Sequence, residues 1–210
     1  NEVGNVLIVS IKTVDEDREI AKYGLVDKSA KELLPLQYNT IIEADTNLVW
    51  AHSDNNNYQL YNTKGQLVGI ESVDKIETGY FVAKRAKVVK NNKTEFIDEQ
   101  CQTVIESNNY ELTSDFEKYG KLYLATVTKN NLSSLINTNG DIVLPAFYQN
   151  IVYLSNETFW VQTNNNSQLI DLNTQPIIPF DIPNDYNLIP NECANGYVKL
   201  AKNNLLGLMD

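Results

Sequence analysis

Along the chain, short runs of apolar and β-branched residues alternate with clusters of Asn, Asp, Thr and Gly. Examples are Val6 to Ile11, Leu48 to Ala51, Leu122 to Val127 and Phe159 to Val161. None approaches the roughly 18 consecutive apolar residues that a membrane helix needs, and none repeats at helical spacing. The runs are read as β-strands. The strand that opens each unit is expected to be apolar on both faces. Leu48, Tyr80, Leu122, Phe159 and Tyr197 are followed directly by Val49, Phe81, Tyr123, Trp160 and Val198. Adjacent strand residues point to opposite sides, so each sheet needs cover on both.

A triplet of large apolar, apolar and Asp or Asn recurs as Leu25-Val26-Asp27, Leu60-Tyr61-Asn62, Phe96-Ile97-Asp98, Leu135-Ile136-Asn137, Leu169-Ile170-Asp171 and Leu208-Met209-Asp210. Its third positions are spaced by 35, 36, 39, 34 and 39 residues, a period of about 36. Asn clusters precede the later copies, at 55–57, 91–92, 130–131, 164–166 and 203–204. Asn tolerates left-handed backbone, so these clusters predict hairpin tips. A second turn follows the triplet, as at Thr63-Lys64-Gly65 and Thr138-Asn139-Gly140.

Two turns per period predict three strands. The expected fold is all-β: five to six stacked three-stranded antiparallel meanders, forming a propeller-like ring or an open β-solenoid. Residues 1–210 are expected to form a single repeat domain. The units are expected over Val6 to Leu34, Leu48 to Ile70, Tyr80 to Ile105, Leu122 to Leu144, Phe159 to Ile178 and, two strands only, Tyr197 to Asp210. The connections Pro35 to Asn47 and Pro179 to Asn195 are read as surface loops with at most a helical turn.

The segment Lys22-Tyr23-Gly24-Leu25-Val26-Asp27, continuing through Leu33-Leu34-Pro35-Leu36-Gln37-Tyr38, resembles a bacterial WG (Trp-Gly) β-repeat, with Tyr23 where that repeat has Trp. Asn204 to Asp210 resembles the start of another copy, and Asp141 to Tyr148 the middle of one. The resemblance implies a non-catalytic interaction scaffold, often exported, and carries over no active-site residues.

Composition changes the picture by exclusion. With 17 Lys plus Arg against 27 Asp plus Glu, the net charge is −10. That is the wrong sign for neutralising phosphates, so nucleic acid is not an expected partner. One His, two Cys and one Met are too few for a soft-metal site, and no cofactor is expected. Cys101 and Cys193 are compatible with one disulfide or with two thiols. The chain opens Asn1-Glu2 without an initiator Met, from which upstream processing or truncation is expected.

No catalytic set emerges. His52 ends an apolar strand and reads as a strand-end residue. A Cys–His nucleophile would need Cys101 or Cys193 beside it, and Cys101 falls in an expected turn. With 27 acidic residues, paired carboxylates are too abundant to signify glycosidase chemistry. The triplet Asp and Asn could be drawn as calcium ligands, but such side chains at strand ends commonly bond turn backbone. The candidate partner-binding residues are Asp15, Glu16, Asp17 and Glu19, in a long first hairpin loop expected between Ser10 and Lys22. The half from Glu106 onward is acidic, whereas Lys84, Arg85, Lys87, Lys90 and Lys93 give the third unit a basic strand. The expected function is a non-enzymatic protein-binding module for a basic partner in the bacterial cell envelope, periplasmic or secreted. An immunity or inhibitor protein against a cationic secreted toxin is its specific form. The alternative is a cell-envelope glycan binder, suggested by 12 Tyr and 2 Trp.

Overall fold

A computed structural model describes all residues except 1, 16–17, 55–56, 70–71, 108–109, 156, 179–180, 190–196, 204 and 210. The chain divides into two compact units, residues 1–108 and 109–210, each of three antiparallel sheets.

In the first unit, sheet one contains β1 (Glu2–Val3), β2 (Val6–Asp15), β3 (Arg18–Asp27) and β4 (Glu32–Tyr38). Sheet two contains β5 (Thr40–Asp45), β6 (Leu48–His52) and β7 (Tyr58–Asn62), and sheet three β8 (Lys75–Ile76), β9 (Ala86–Lys90), β10 (Lys93–Ile97) and β11 (Thr103–Glu106). In the second unit, sheet four has β12 (Glu111–Leu112), β13 (Glu117–Tyr119), β14 (Leu122–Lys129), β15 (Leu132–Ile136) and β16 (Ile142–Tyr148). Sheet five has β17 (Asn150–Ser155), β18 (Thr158–Gln162), β19 (Asn166–Ile170) and β20 (Ile182–Pro183). Sheet six has β21 (Asn187–Leu188), β22 (Val198–Lys202) and β23 (Leu205–Met209). Neighbours in sequence are neighbours in each sheet, except that β12 and β13 both pair with β14, so the all-β tandem meander is observed.

The expected meander gains a leading strand. β5, β8, β17 and β21 pair ahead of the first expected strand, giving sheets of three to five strands. The Pro35 to Asn47 connection is therefore not a loop. Pro35 lies in β4, the outer strand of its sheet, where a missing N–H breaks no inner ladder. Ile41 and Ala44 of β5 are buried. Likewise Ile182–Pro183 and Asn187–Leu188 are strands inside the second expected loop, of which 179–180 and 190–196 lie outside the described residues. The third unit opens at Ala86 rather than Tyr80. Ala83 and Lys84, at φ 50° and 65°, make a tight turn closed by reciprocal Val82 and Arg85 backbone bonds of 2.8 and 3.0 Å. The residue equivalent to Val49 and Phe159 is thus Ala86, and in the fourth unit Ala125, not Phe81 or Tyr123.

Two of the expected Asn tips form as left-handed pairs and Asn203 is left-handed at 49°, whereas Asn164 and Asn165 turn without a positive φ, and residues 55–56 and 204 lie outside the described residues. Asn91 and Asn92 (51°, 61°) and Asn130 and Asn131 (52°, 63°) are left-handed pairs, matching the twist of the strands they join. After each triplet, one turn recurs five times. Oδ1 of Asp27, Asn62, Asp98, Asn137 and Asp171 accepts the backbone N–H two and four residues on, at 2.8–3.0 Å. The residue three on is left-handed each time: Ala30, Gly65, Cys101, Gly140 and Thr174.

Within each unit, strand alternation sends successive side chains to different neighbours. Val49 and Ala51 of sheet two pack with Val6, Leu25 and Leu34 of sheet one, whereas Trp50 and Leu60 pack with Ala86, Val88 and Ile97 of sheet three. Sheet five repeats this: Phe159, Val161 and Ile170 meet Leu124, Leu135 and Leu144, and Trp160 and Leu169 meet Val198 and Leu200. Burial on both faces is why these strands carry no polar alternation.

A β-branched residue is strained at a left-handed position that Gly occupies freely. Thr174→Gly is therefore expected to stabilise the protein by about 0.5–1 kcal/mol, and Gly140→Thr to destabilise it by about 1–3 kcal/mol. Urea unfolding midpoints at equal slope check both.

Candidate functional site

The residues expected to bind a partner lie on the first hairpin, which differs from its equivalents in length. β2 and β3 each run ten residues, against five for β6, β7, β9, β10, β18, β19, β22 and β23. Five further residues at about 3.3 Å each carry the arm about 16 Å past the usual hairpin length. The loop expected from Ser10 to Lys22 is instead paired throughout, from Ser10 opposite Tyr23 to Asp15 opposite Arg18. A β-branched series, Ile11, Thr13, Val14 and Ile20, sustains the ladder. That series was the available signal for strands here, and the surrounding charges obscured it.

Of the four candidate residues, Asp15 closes β2, Glu19 lies in β3 opposite Val14, and Glu16 and Asp17 lie outside the described residues. Glu19 forms a 2.8 Å ion pair with Lys12. From Lys12 to Lys22 there are three basic residues against four acidic. The arm is thus close to charge-balanced. Its exposed surface is partly apolar: Val14 is 77% exposed, Ile11 49% and Ile20 38%. Register places Leu7, Val9, Ile11 and Ile20 on one face of the hairpin, and the core residues Val6, Ile8 and Leu25 on the other.

The arm is tied at its base. Lys22 Nζ donates to Asn39 Oδ1 at 2.7 Å and to the Asp54 carboxylate at 2.9 and 3.1 Å, linking β3 to sheet two. Hydrogen bonding from Lys22, then from Asn39, lowers the Asp54 pKa below its ordinary 3.8.

The alternative chemistries take other places. His52 stacks on its cross-strand partner Tyr58 at 4.5 Å between ring centroids. Cys101 is buried in the turn after β10, and Cys193 lies outside the described residues. The triplet Asp and Asn oxygens that might hold calcium are already accepting two backbone N–H groups each. Among the described residues no group of three or more His, Cys, Asp or Glu could hold a metal ion. The basic cluster of the third unit divides between the turn at Lys84 and Arg85, β9 at Lys87 and Lys90, and β10 at Lys93.

The WG containing repeat family matches residues 134–166, which span the triplet Leu135-Ile136-Asn137, its turn, β16, β17 and β18. The chain is thus an all-β tandem-repeat protein that resembles WG β-repeat proteins. No curated protein matches it. Similar solved structures include BamB from Moraxella catarrhalis, at 11% identity over 94% of this chain and 70% of that one, TM-score 0.33. The WD40 domain of SCAP from fission yeast is 13% identical over 94% and 62%, TM-score 0.30. The WD40 β-propeller domain of Doa1 is 9% identical over 99% and 76%, TM-score 0.30.

The Asp54 tie has a definite pH sign. A carboxylate whose folded pKa is lowered contributes stability that is full above its unfolded pKa, near 3.8, and is lost as pH falls through the lower folded value. Amide-exchange protection of β2 and β3 beyond Ile11 is expected to weaken over that acid range. Asp54→Asn should weaken it already at neutral pH and remove the acid step.

Proposed function

We propose that this chain is a non-catalytic binding module for another protein, and that the extended β2–β3 arm is its principal contact surface. The observation that carries the reading is the arm itself: ten-residue strands where the equivalent hairpins mostly have five, bearing exposed Ile11, Val14 and Ile20 among charged residues. Apolar side chains on a protruding ribbon gain by being covered, at roughly 25 cal/mol per Å². The net charge of −10 favours a cationic partner, speeding and selecting the encounter more than it adds affinity. Neutralisation of a basic toxin in the cell envelope is the specific form of this role. The glycan alternative draws less support. Trp50 and Trp160 are at most 1% exposed and have no free face for a sugar, and the exposed rings Tyr80 and Tyr197, at 52% and 46%, are the ones left to support it.

The test is retention of proteins from the host's envelope fraction by the purified chain, washed at low and high salt, beside a variant carrying Ile11→Ser and Val14→Ser. One basic protein retained at low salt, weakened as salt rises, and lost at least tenfold with the arm variant is the expected result. Retention unaffected by the arm changes removes the arm from the role. Sedimentation with cell-wall polymer and no retained protein replaces the reading with glycan binding.

A further inference from the structure

The β2–β3 arm has two strand edges, and the geometry of the repeat leaves one of them uncovered. In sheets two and five the opening strand is covered by a leading strand whose outermost pair falls at a fixed place, Thr40 opposite His52 and Asn150 opposite Gln162. Val6 stands opposite Asp27 as Leu48 stands opposite Asn62, so His52 corresponds to Ser10. A leading strand of the repeat therefore reaches no further than Ser10, and residues 11–15 extend past it. The other edge is closed at its base. β4 ends with Tyr38 opposite Tyr23, and Lys22 Nζ bonds Asn39 and Asp54 there.

Exposed strand edges are ordinarily blunted by proline, by bulges or by charge. Here the ten β2–β3 pairs run without a register shift, and β2 contains no proline. The charge of Lys12 is matched by Glu19 at 2.8 Å. Residues 11–14 are all exposed. The pair that closes a two-residue connection exchanges backbone bonds, and the residues between successive bonded pairs turn their groups the other way. Val3 closes on Val6, and Asp15 on Arg18. Both hairpins give the same phase: Lys12 and Val14 direct N–H and C=O away from β3.

We propose that the β2 edge over residues 11–15 takes up an extended segment of the cationic partner as an added antiparallel strand, with β-branched residues along 11–14 and Lys or Arg beside the tip. This rests on the arm as contact surface and specifies what it binds. Both existing neighbours of β2 pair antiparallel. In sequence, Asp15, Glu16 and Asp17 outnumber Arg18 at the tip, while Lys12 and Lys22 are matched by Glu19 and Asp54. Opposite charges directly across a strand pair stabilise it, and a carboxylate in that place would repel. Covering Ile11 and Val14 supplies affinity, and the outward main-chain groups fix the direction and register of the segment.

The test titrates the isotopically labelled full chain with the amidated peptide Arg-Lys-Val-Thr-Val-Ile, followed by NMR. Antiparallel pairing sets its Lys opposite Asp15, its two Val opposite Val14 and Lys12, and its Ile opposite Ile11. Saturable shifts of the 11–14 amides are expected. N-methylation of the second Val, whose N–H meets Lys12, should weaken binding at least tenfold, whereas N-methylation of the Thr, whose N–H points away, should leave it. Lys12→Pro removes an outward N–H that β3 does not use and should weaken binding equally, while Lys12→Ala retains it. Cross-strand contacts between Val14 and Glu19 report that the proline variant keeps its arm. No shifts at 11–14, equal weakening by the two N-methyl peptides, or tighter binding of a peptide with Glu-Glu for Arg-Lys would each overturn the proposal. So would shifts of these amides with protein concentration alone, which assign the edge to a second copy. A basic envelope protein lost with Ile11→Ser and Val14→Ser but retained by Lys12→Pro overturns strand addition alone, and retention by both variants removes the arm from the role.

Discussion

One side-chain oxygen sets the repeat. Oδ1 of Asp27, and of its equivalents at 62, 98, 137 and 171, accepts two backbone N–H groups from the turn that follows, and the strand cannot continue past it. The N–H groups two and four residues on would otherwise go to water or stay unsatisfied, at a cost of about 1–3 kcal/mol for a buried one. The closing backbone pair, as between Asp27 and Lys31 at 3.0 Å, then fixes where the next strand starts. Asp and Asn serve equally because only Oδ1 is used. Gly is dispensable at the left-handed position for the same reason: with the turn anchored at both ends, Ala30, Cys101 and Thr174 are held there despite their side chains.

With the turn fixed, register follows. The two apolar residues before the Asp or Asn face opposite neighbours. Leu60 points toward sheet three while Ile97 of that sheet points back, and Leu169 and Ile170 divide in the same way between sheets six and four. A slip of one residue would exchange every such contact, so the turn and the packing specify each other. The residue before the pair inherits a separate duty, contact with the strand that follows, which is why it ranges from Gly24 to Glu95 while the triplet stays constant.

This division explains what could be read from the sequence. The triplet, the Asn tips and the two apolar faces are local signals, and each has one residue type suited to one backbone conformation. The leading strands were not legible. Thr40–Asp45 follows a proline-bearing segment and is joined to it by a single residue, so composition suggested a loop. β20 and β21 are two residues each and owe their strand character to the neighbour they pair with. The third unit misled because Tyr80-Phe81 is a more apolar opening than Ala86-Lys87. Phe81 nevertheless finds a place, stacked on Trp50 at 6.1 Å from outside the strand. In the first hairpin, the charges of 15–19 hid strands that β-branched residues sustain on either side. Asp15 and Glu19, the two acidic candidates among the described residues, fall on this extended hairpin, and its paired, charge-balanced form depends on cross-strand partners such as Lys12 and Glu19.

The proposed arm surface answers to the physics of exposed side chains. The arm offers side chains in high dielectric, where an exposed ion pair such as Lys12–Glu19 is worth about 0–1 kcal/mol and long-range charge is screened beyond about 8–10 Å at physiological salt. Its affinity must come from covering Ile11, Val14 and Ile20, and its selectivity from the acidic whole. A repeat protein built on one invariant turn can carry such a surface because the feature that creates it, hairpin length in one sheet, lies outside the triplet that holds the array together.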